Sequence, residues 1–493
     1  MLNTLKSIFT IPDLRKKIYF TVAMLAVYRV GAHIPIPFVD GERIREFFNR
    51  LTGMGDGVFS MVDMFTGGAF TNMTIMALGI MPYISAQIIF QLMMVVVPKL
   101  EKIKKEGEAG QRKIEQWTRY GTVILATVQS LGVALFLVGT DQGSFMSPVL
   151  AHQYFLFIIP GWLVFMVIAM ISVIAGTTLL MWIGERITAE GIGNGISLLI
   201  AASIIVSYPS AAHLLYQHLK LETIATIWVP IIIALAIVTT VAIILIQEGA
   251  RRIPIQHARR TVGRRVQQAT TNYLPLKVNT AGVIPVIFSS AILTLPQTLF
   301  MFVGTQESGG FSGLGTLFSQ YSPYNLYNAF GIEKQSIFLL LKVANLHTLI
   351  YVILTAFFCF FYTAVTFNPQ DVAENLKKTG AFIPGYRPGK QTADYIDMVL
   401  TRITVVGAVF LVTVALIPSV LSQAFDVHWS YAEFAGGTGL IIVVGVVLDT
   451  MKKIESQLLM RHYDGFRIRR QAAPAGAGGG GGGPRRWAGR RER

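Results

Sequence analysis

The residues of this chain that could do chemistry are few, and they do not converge. GIGNG at 191–195 has the look of a dinucleotide loop, yet no strand precedes it, the third glycine is misplaced, and apolar segments flank it. It is expected to be a turn. PGYRPGK at 384–390 invites comparison with a phosphate loop, but Gly385 and Gly389 stand too close and Gln391 replaces the required Ser or Thr. No ATPase is visible. The one cysteine, Cys359, lies in an apolar run, which rules out a disulfide framework or Cys-based metal site and leaves packing as its role. The ionisable groups in or beside apolar segments, Arg29, His33, Lys342, His347 and Asp449, form no acidic relay. With no nucleophile–base pair and no metal cluster, no catalytic residue, metal or cofactor is expected. The chemistry left is that of recognition and passage.

The elements that must position such residues are membrane helices. Hydrophobic residues make up 53% of the 493 and charged ones 14%, with mean hydropathy +0.54, which excludes a soluble globular protein. A bilayer core of about 30 Å needs roughly 20 apolar residues per helix. Ten segments qualify: 18–38, 72–97, 119–139, 154–183, 194–208, 225–247, 279–303, 337–366, 401–421 and 436–452.

The formal charge of +15 is unevenly distributed. All but seven of the 42 Lys and Arg fall on one set of alternate connections: 1–17, 98–120, 184–191, 248–277, 367–402 and 451–493. Five lie opposite (Arg43, Arg45, Arg50, Lys220, Lys334) and two inside spans (Arg29, Lys342). This asymmetry places both termini in the cytoplasm, in agreement with an even number of spans. The first apolar segment is too long for a signal-peptide core and no small-residue cleavage pattern closes it, so it is read as a retained span.

Residues 1–17 alternate apolar and basic positions and suit an amphipathic helix on the cytoplasmic surface. The first span then carries Arg29, which either snorkels or faces a water-filled interior, and ends in IPIP at 34–37. Residues 58–70 are too short to span, contain Asp63, and close on Gly67 and Gly68. Such a piece re-enters the membrane or lies at its surface, with the glycine pair as a joint. The second span is broken near its start by Gly79 and Pro82, and the seventh repeats the pattern with Gly282 and Pro285. These are the second spans of two successive five-span halves, and five is odd, so the halves must be inverted. Paired Gly/Pro interruptions in inverted halves mark a pathway at the repeat interface.

Three basic loops face the cytoplasm. Residues 98–120 mix both signs and belong in water. Residues 248–277 alternate β-branched runs with Arg pairs at 251–252, 259–260 and 264–265 around a Thr-Val-Gly turn, which reads as an extended basic hairpin open to an acidic partner such as ribosomal RNA. The third, 367–400, carries PGYRPGK. From Gln471 the tail is Ala/Gly-rich with a terminal Arg cluster and is expected to be disordered.

Several long signatures, MFTGGAF with ALGIMPYISAQII, KKEGEAGQRKIEQWTRYGT, GERITAEGIGNGIS, LPLKVNTAGVIPVIF and FNPQDVAENLKKTGAFIPGYRPG, closely resemble the bacterial SecY family of translocon channel subunits. The resemblance covers about residues 1–460 and excludes the Gly-rich tail. It implies an all-α polytopic protein of ten transmembrane helices in two inverted five-helix halves, both termini inside, with a re-entrant plug helix. Its organisation would be an amphipathic segment 1–17, an N-terminal half 18–209 with a plug at 58–70, a C-terminal half 210–455 and a tail 456–493. By motif, a sealing ring would comprise Ile80, Ile84, Ile200, Ile287 and Ile442. Plug and hinge would comprise Val58, Phe59, Met61, Val62, Met64, Phe65, Gly67 and Gly68. A lateral gate between spans two and seven would carry Gln91, Gln129 and Asn279. Arg251, Arg252 and Arg387 would dock a motor ATPase or the ribosome, Arg being suited by its bidentate fork.

The partners so implied are SecE- and SecG-type small membrane subunits, a SecA-type motor ATPase, the ribosome with its rRNA, signal sequences, nascent polypeptides and lipid. The location implied is the bacterial inner membrane. An ion-coupled secondary transporter could share the inverted repeat, but would place ionisable groups on the pathway. Here the interiors of spans two to seven hold no Asp, Glu, Lys, Arg or His.

Overall fold

The computed structural model describes residues 11–53, 57–138, 154–155, 159–221, 226–257, 261–262, 265–266, 271–303, 346–425 and 427–471. Lys342, Lys334 and the tail beyond Gln471 lie outside them, as do residues 1–10 of the expected amphipathic segment. The architecture is a helical bundle with a small cytoplasmic sheet. Among the described residues, ten helices coincide with the expected spans: α1 (Pro12–Gly31), α4 (Met81–Val96), α6 (Glu108–Val138), α7 (Gly161–Glu190) and α8 (Gly195–Lys220), then α9 (Trp228–Glu248), α10 (Ile284–Val303), α11 (Leu346–Thr366), α13 (Lys390–Phe425) and α15 (Gly437–Gln471). The shorter elements are α2 (Gly41–Gly53), α3 (Gly57–Thr66), α5 (Pro98–Lys105), α12 (Pro369–Thr379), α14 (Trp429–Ala432) and a 3-10 turn, Glu433–Ala435.

Six of the helices are long and apolar enough to cross a membrane alone, and α4 with α5 forms a further pair bent by 100°. Large apolar side chains stay exposed on the outer faces, for example Ile233, Val238 and Leu245 on α9 and Val406 and Val409 on α13. Such a surface is stable against hydrocarbon and not against water.

Helix boundaries depart from the sequence reading at several places, and four of them show what the expected segments become. α1 begins at Pro12, where the missing N–H costs nothing in a first turn, so residues 12–17 belong to the span helix rather than to a separate surface helix. The fourth span starts at Gly161, because 154–155 (β1) and 159–160 (β2) pair as a short antiparallel ladder. α8 continues through Pro209 to Lys220, well past the expected end at 208. The loop 98–120 is mostly helical, and α6 rises from it without a break.

The break near the start of the second span is a run of turns followed by a late helix start. Residues 67–80 form successive turns, and α4 begins only at Met81 with Pro82 in its first turn. Gly79 has φ +56° and Gly282 has φ +65°, and α10 likewise opens just ahead of its proline, Pro285. Both Gly-x-x-Pro patterns thus mark a left-handed residue followed by a helix start, a use of glycine and proline that no other pair serves as well. The turns are held by the IPIP segment: Ile36 N–H donates to Met73 O (3.0 Å) and Ile75 N–H to Ile34 O (3.0 Å).

In the first half α7 packs on α1, α6 and α8, and in the second α11 packs between α10 and α13. The halves meet where α8 contacts α15 and where α10 contacts both α4 and α6. The expected turn at 191–195 is a turn, with Asn194 capping α8 by accepting from Ile196 N–H at 3.1 Å. On the cytoplasmic side β3 (Ala250–His257) pairs antiparallel with β6 (Thr271–Lys277), and a short ladder joins β4 (Thr261–Val262) to β5 (Arg265–Val266). The expected hairpin gains a third strand, β7 (Ala381–Phe382), from the following basic loop.

Candidate functional site

The five isoleucines from α4, α8, α10, α15 and the turn before α4 come together. Ile80, Ile84, Ile200, Ile287 and Ile442 are all buried and share one apolar cluster, drawn from both halves. Met64 and Phe65 of α3 belong to the same cluster, and α3 packs on α8 and α10. Val283 and Ile204 join it and were not singled out from sequence, since a lone Val or Ile in an apolar run carries no signal of its own.

α3 itself is tied down at its C-terminal end. Gly67 (φ +63°) and Gly68 (φ +87°) turn the chain, and a Cβ at Gly67 would lie 3.0 Å from Ser203 Cα on α8. Arg29 Nη1 donates to Gly67 O at 2.8 Å, which turns this half-buried cation toward the joint after α3. The Tyr28 hydroxyl donates to Thr66 O at 3.1 Å and lies 2.6 Å from Ser203 Oγ. Asp63 accepts from both Thr71 N–H and Thr71 Oγ1 at 3.0 Å. Val62, Met64 and Phe65 are buried. Val58, Phe59 and Met61 lie in the helix, but their side chains fall outside the described residues. Tyr28, Thr71 and Ser203 escape sequence reading because their roles depend on contacts between distant segments.

Beneath the ring, on the side of the basic loops, lies an open cavity of about 430 Å³ lined by Asn194, Gln247, Lys277, Asn279, Asp449 and Lys452 among others. Asn279 belongs to this cavity, and its Nδ2 donates to Gly282 O at 2.8 Å, fixing the left-handed turn before α10. Gln129 lies elsewhere, in a cavity of about 20 Å³ on the seam of α4, α6 and α10, with Ser85, Phe70, Ala291 and Thr294. Its Oε1 and that of Gln91 are buried without a partner. Of the three amides expected to form one polar cluster, Asn279 and Gln129 line different cavities, and Gln129 shares its own with Ser85 and Thr294.

On the cytoplasmic protrusion Arg251, Arg252 and Arg387 are all exposed. β7 pairs with β3, which brings the Arg387 loop to the same sheet as the arginine pair. Tyr386 stacks on Tyr395 with ring centroids 4.0 Å apart, and Thr392 Oγ1 donates to Arg387 O at 2.9 Å, so that loop is held rather than loose.

A buried apolar cluster drawn from both half-bundles, with a tethered short helix packed on it and a polar cavity on the side of the basic loops, sits within a multi-pass helical membrane protein. The SecY family model matches residues 74–451. The chain is 42% identical to the protein translocase subunit SecY of Chlamydia trachomatis over 471 residues, covering 94% of this chain and 97% of the relative. It is 42% identical to that of Streptomyces coelicolor over 469 residues (94% and 100% covered). The fold is similar to a solved protein conducting channel (TM-score 0.60, 17% identity, 90% and 92% covered). It is similar also to the canine Sec61 channel in a ribosome-channel complex (TM-score 0.57, 16% identity, 90% and 92% covered). The chain belongs to the SecY family.

Proposed function

We propose that this chain is the conduit for unfolded secretory polypeptides, which enter the 430 Å³ cytoplasmic cavity, pass the isoleucine ring and displace α3. The observation that carries this reading is the convergence of Ile80, Ile84, Ile200, Ile287 and Ile442 from both halves beneath Met64 and Phe65. A narrow apolar ring resists ions by dewetting, while its side chains yield to a peptide of any sequence. Nothing in the ring selects a side chain, as a general conduit requires.

Hydrophobic segments leave sideways where α4 meets α10, the seam that holds Gln129, Ser85 and Thr294. Energy comes from a partner engaging the protrusion through Arg251, Arg252 and Arg387: a SecA-type motor ATPase or the ribosome. The setting is the bacterial inner membrane, with SecE- and SecG-type subunits against the exposed outer faces. The solved relatives on a ribosome support the ribosomal partnership. The test is reconstitution with those subunits, the motor and a secretory precursor in vesicles: protease-protected precursor is expected, and its absence with the motor active would count against the reading.

A further inference from the structure

Glu433 has no part in the conduit just described, and it is placed where a carboxylate is costly. It sits in the 3-10 turn between α13 and α15, outside the spanning helices and on the side opposite the basic loops, and is only 7% exposed. The N–H of Gly439 and the hydroxyl of Thr438 bond to it, and among the described residues no Lys or Arg pairs with it. A buried carboxyl without a cation keeps its proton, because desolvation penalises the charged form.

The carboxyl faces a cavity of about 30 Å³, lined also by Ser419, Trp429, His347, Thr348 and Tyr351. The Thr348 hydroxyl and Trp429 Nε1 are buried there without a protein partner. That space exceeds the roughly 10–15 Å³ one water needs, room for a single enclosed water on these orphaned groups but not for bulk solvent. Gly439 forms the wall between this site and the pathway. A Cβ on Gly439 would stand 3.1 Å from Met64 Sδ of α3 and 3.6 Å from Glu433 Oε1. One glycine therefore separates Met64 of α3 from the carboxyl, and Met64 together with Ile204 of α8 covers its other side.

We propose that Glu433 is a proton-binding site coupled to the plug: it holds its proton while α3 is seated and releases it when α3 withdraws and water reaches Gly439. The inference rests on α3 being the movable closure.

Other titratable groups facing Glu433 are His347 and Tyr351 from α11 and Tyr208 from α8. α13 and α15 present Ser419 and Thr438, and α9 presents Thr239, which bonds Ala435 O. α3 presents Met64, its Asp63 being taken by Thr71. Tyr431 and His428 at α14 meet each other and His218.

Burial pushes the Glu433 carboxyl from its ordinary 4.5 up to about 8, against the opposing effect of its hydrogen bonds. The sign follows. The seated state binds the proton more tightly, so its advantage is complete below about 4.5 and is lost as external pH rises through about 8. Between those limits one proton shifts the seated–withdrawn equilibrium by at most about tenfold per pH unit.

The test uses the full chain with its membrane partner subunits. In infrared difference spectra a protonated-carboxyl band should be present at neutral pH, titrate away on alkalinisation, and be absent in Glu433→Gln. In planar bilayers resting conductance should rise with external pH from about 5 to 8, flatten in Glu433→Gln and keep its slope in Glu433→Asp. A band unchanged in Glu433→Gln overturns the proton site, and equal pH slopes in wild type and Glu433→Gln overturn the coupling. Deleting 57–66 separates the two readings: unchanged conductance after that deletion removes α3 as the closure, whereas the infrared band still reports the proton.

Discussion

Arg29 on α1 donates from Nη1 to the carbonyl of Gly67 across 2.8 Å, joining the first span to the hinge of the plug. Its neighbour Tyr28 reaches Thr66 O and Ser203 in the next α-carbon's reach along the same helix, so two consecutive residues of α1 hold the end of α3. The tether lies at the joint, where it holds the C-terminal end of α3 in place.

Removing that tether should loosen the closure. A hydrogen bond from a charged donor is worth about 1.5–3 kcal/mol, so Arg29→Ala should raise the resting open fraction by about tenfold or more. Tyr28→Phe, which loses only a neutral bond, should raise it less. Single-channel recordings without precursor measure both, and Tyr28→Phe opening the channel more than Arg29→Ala would contradict the ranking.

Making the ring polar should make it leak. Ile84→Ser together with Ile287→Ser replaces two buried apolar side chains by hydroxyls that hold water in the constriction. Resting ion conductance in bilayers is expected to increase while protein yield stays measurable. No change in conductance would move the seal elsewhere.

The seam between α4 and α10 is better probed at Ser85 and Thr294 than at the amides, because both line one small cavity with Gln129. Cysteines at these two positions, oxidised, should stop precursor export, and reduction should restore it. Export that continues with the crosslink verified would remove the seam from the exit route.

Arg387→Glu reverses the charge on an exposed, held loop beside the arginine pair of β3. Motor-stimulated export should fall severalfold while resting conductance is unaltered, and Arg387→Lys should recover only part, since Lys lacks the bidentate fork. Normal stimulation in Arg387→Glu would exclude that residue from docking.

Close backbone approach makes Gly176 a stability site. An added Cβ would sit 1.9 Å from Ile75 O, a backbone atom in the turns before α4. Gly176→Ala should lower the thermal unfolding midpoint by an amount matching about 1–3 kcal/mol of overpacking. Gly41→Ala meets nothing within 4 Å and is the control.

The helical, multi-pass character and the basic hairpin were legible because hydropathy and charge asymmetry act on whole segments. The five isoleucines were legible only through the motifs around them, since Ile in a membrane helix is chemically anonymous. Gly79 and Gly282 announced irregular backbone, though its form depends on distant or local bonding, with IPIP pairing the turns before α4 and Asn279 bonding the turn before α10. Asn279 and Gln129 were grouped from sequence but line different cavities, and Asn279 bonds its own turn at Gly282. Glu433 went unnoticed because it falls in a connection, and its burial arises from four helices folding over it.

The central claim is that polypeptide passes through the isoleucine ring, and site-specific photocrosslinking of a stalled secretory precursor tests it most directly. A photoreactive residue at Ile84, Ile287 or Ile442 should capture the precursor, whereas one at Val409, exposed on the outer face of α13, should not. Capture at Val409 with none at the three ring positions, while the precursor spans the membrane, would contradict the account.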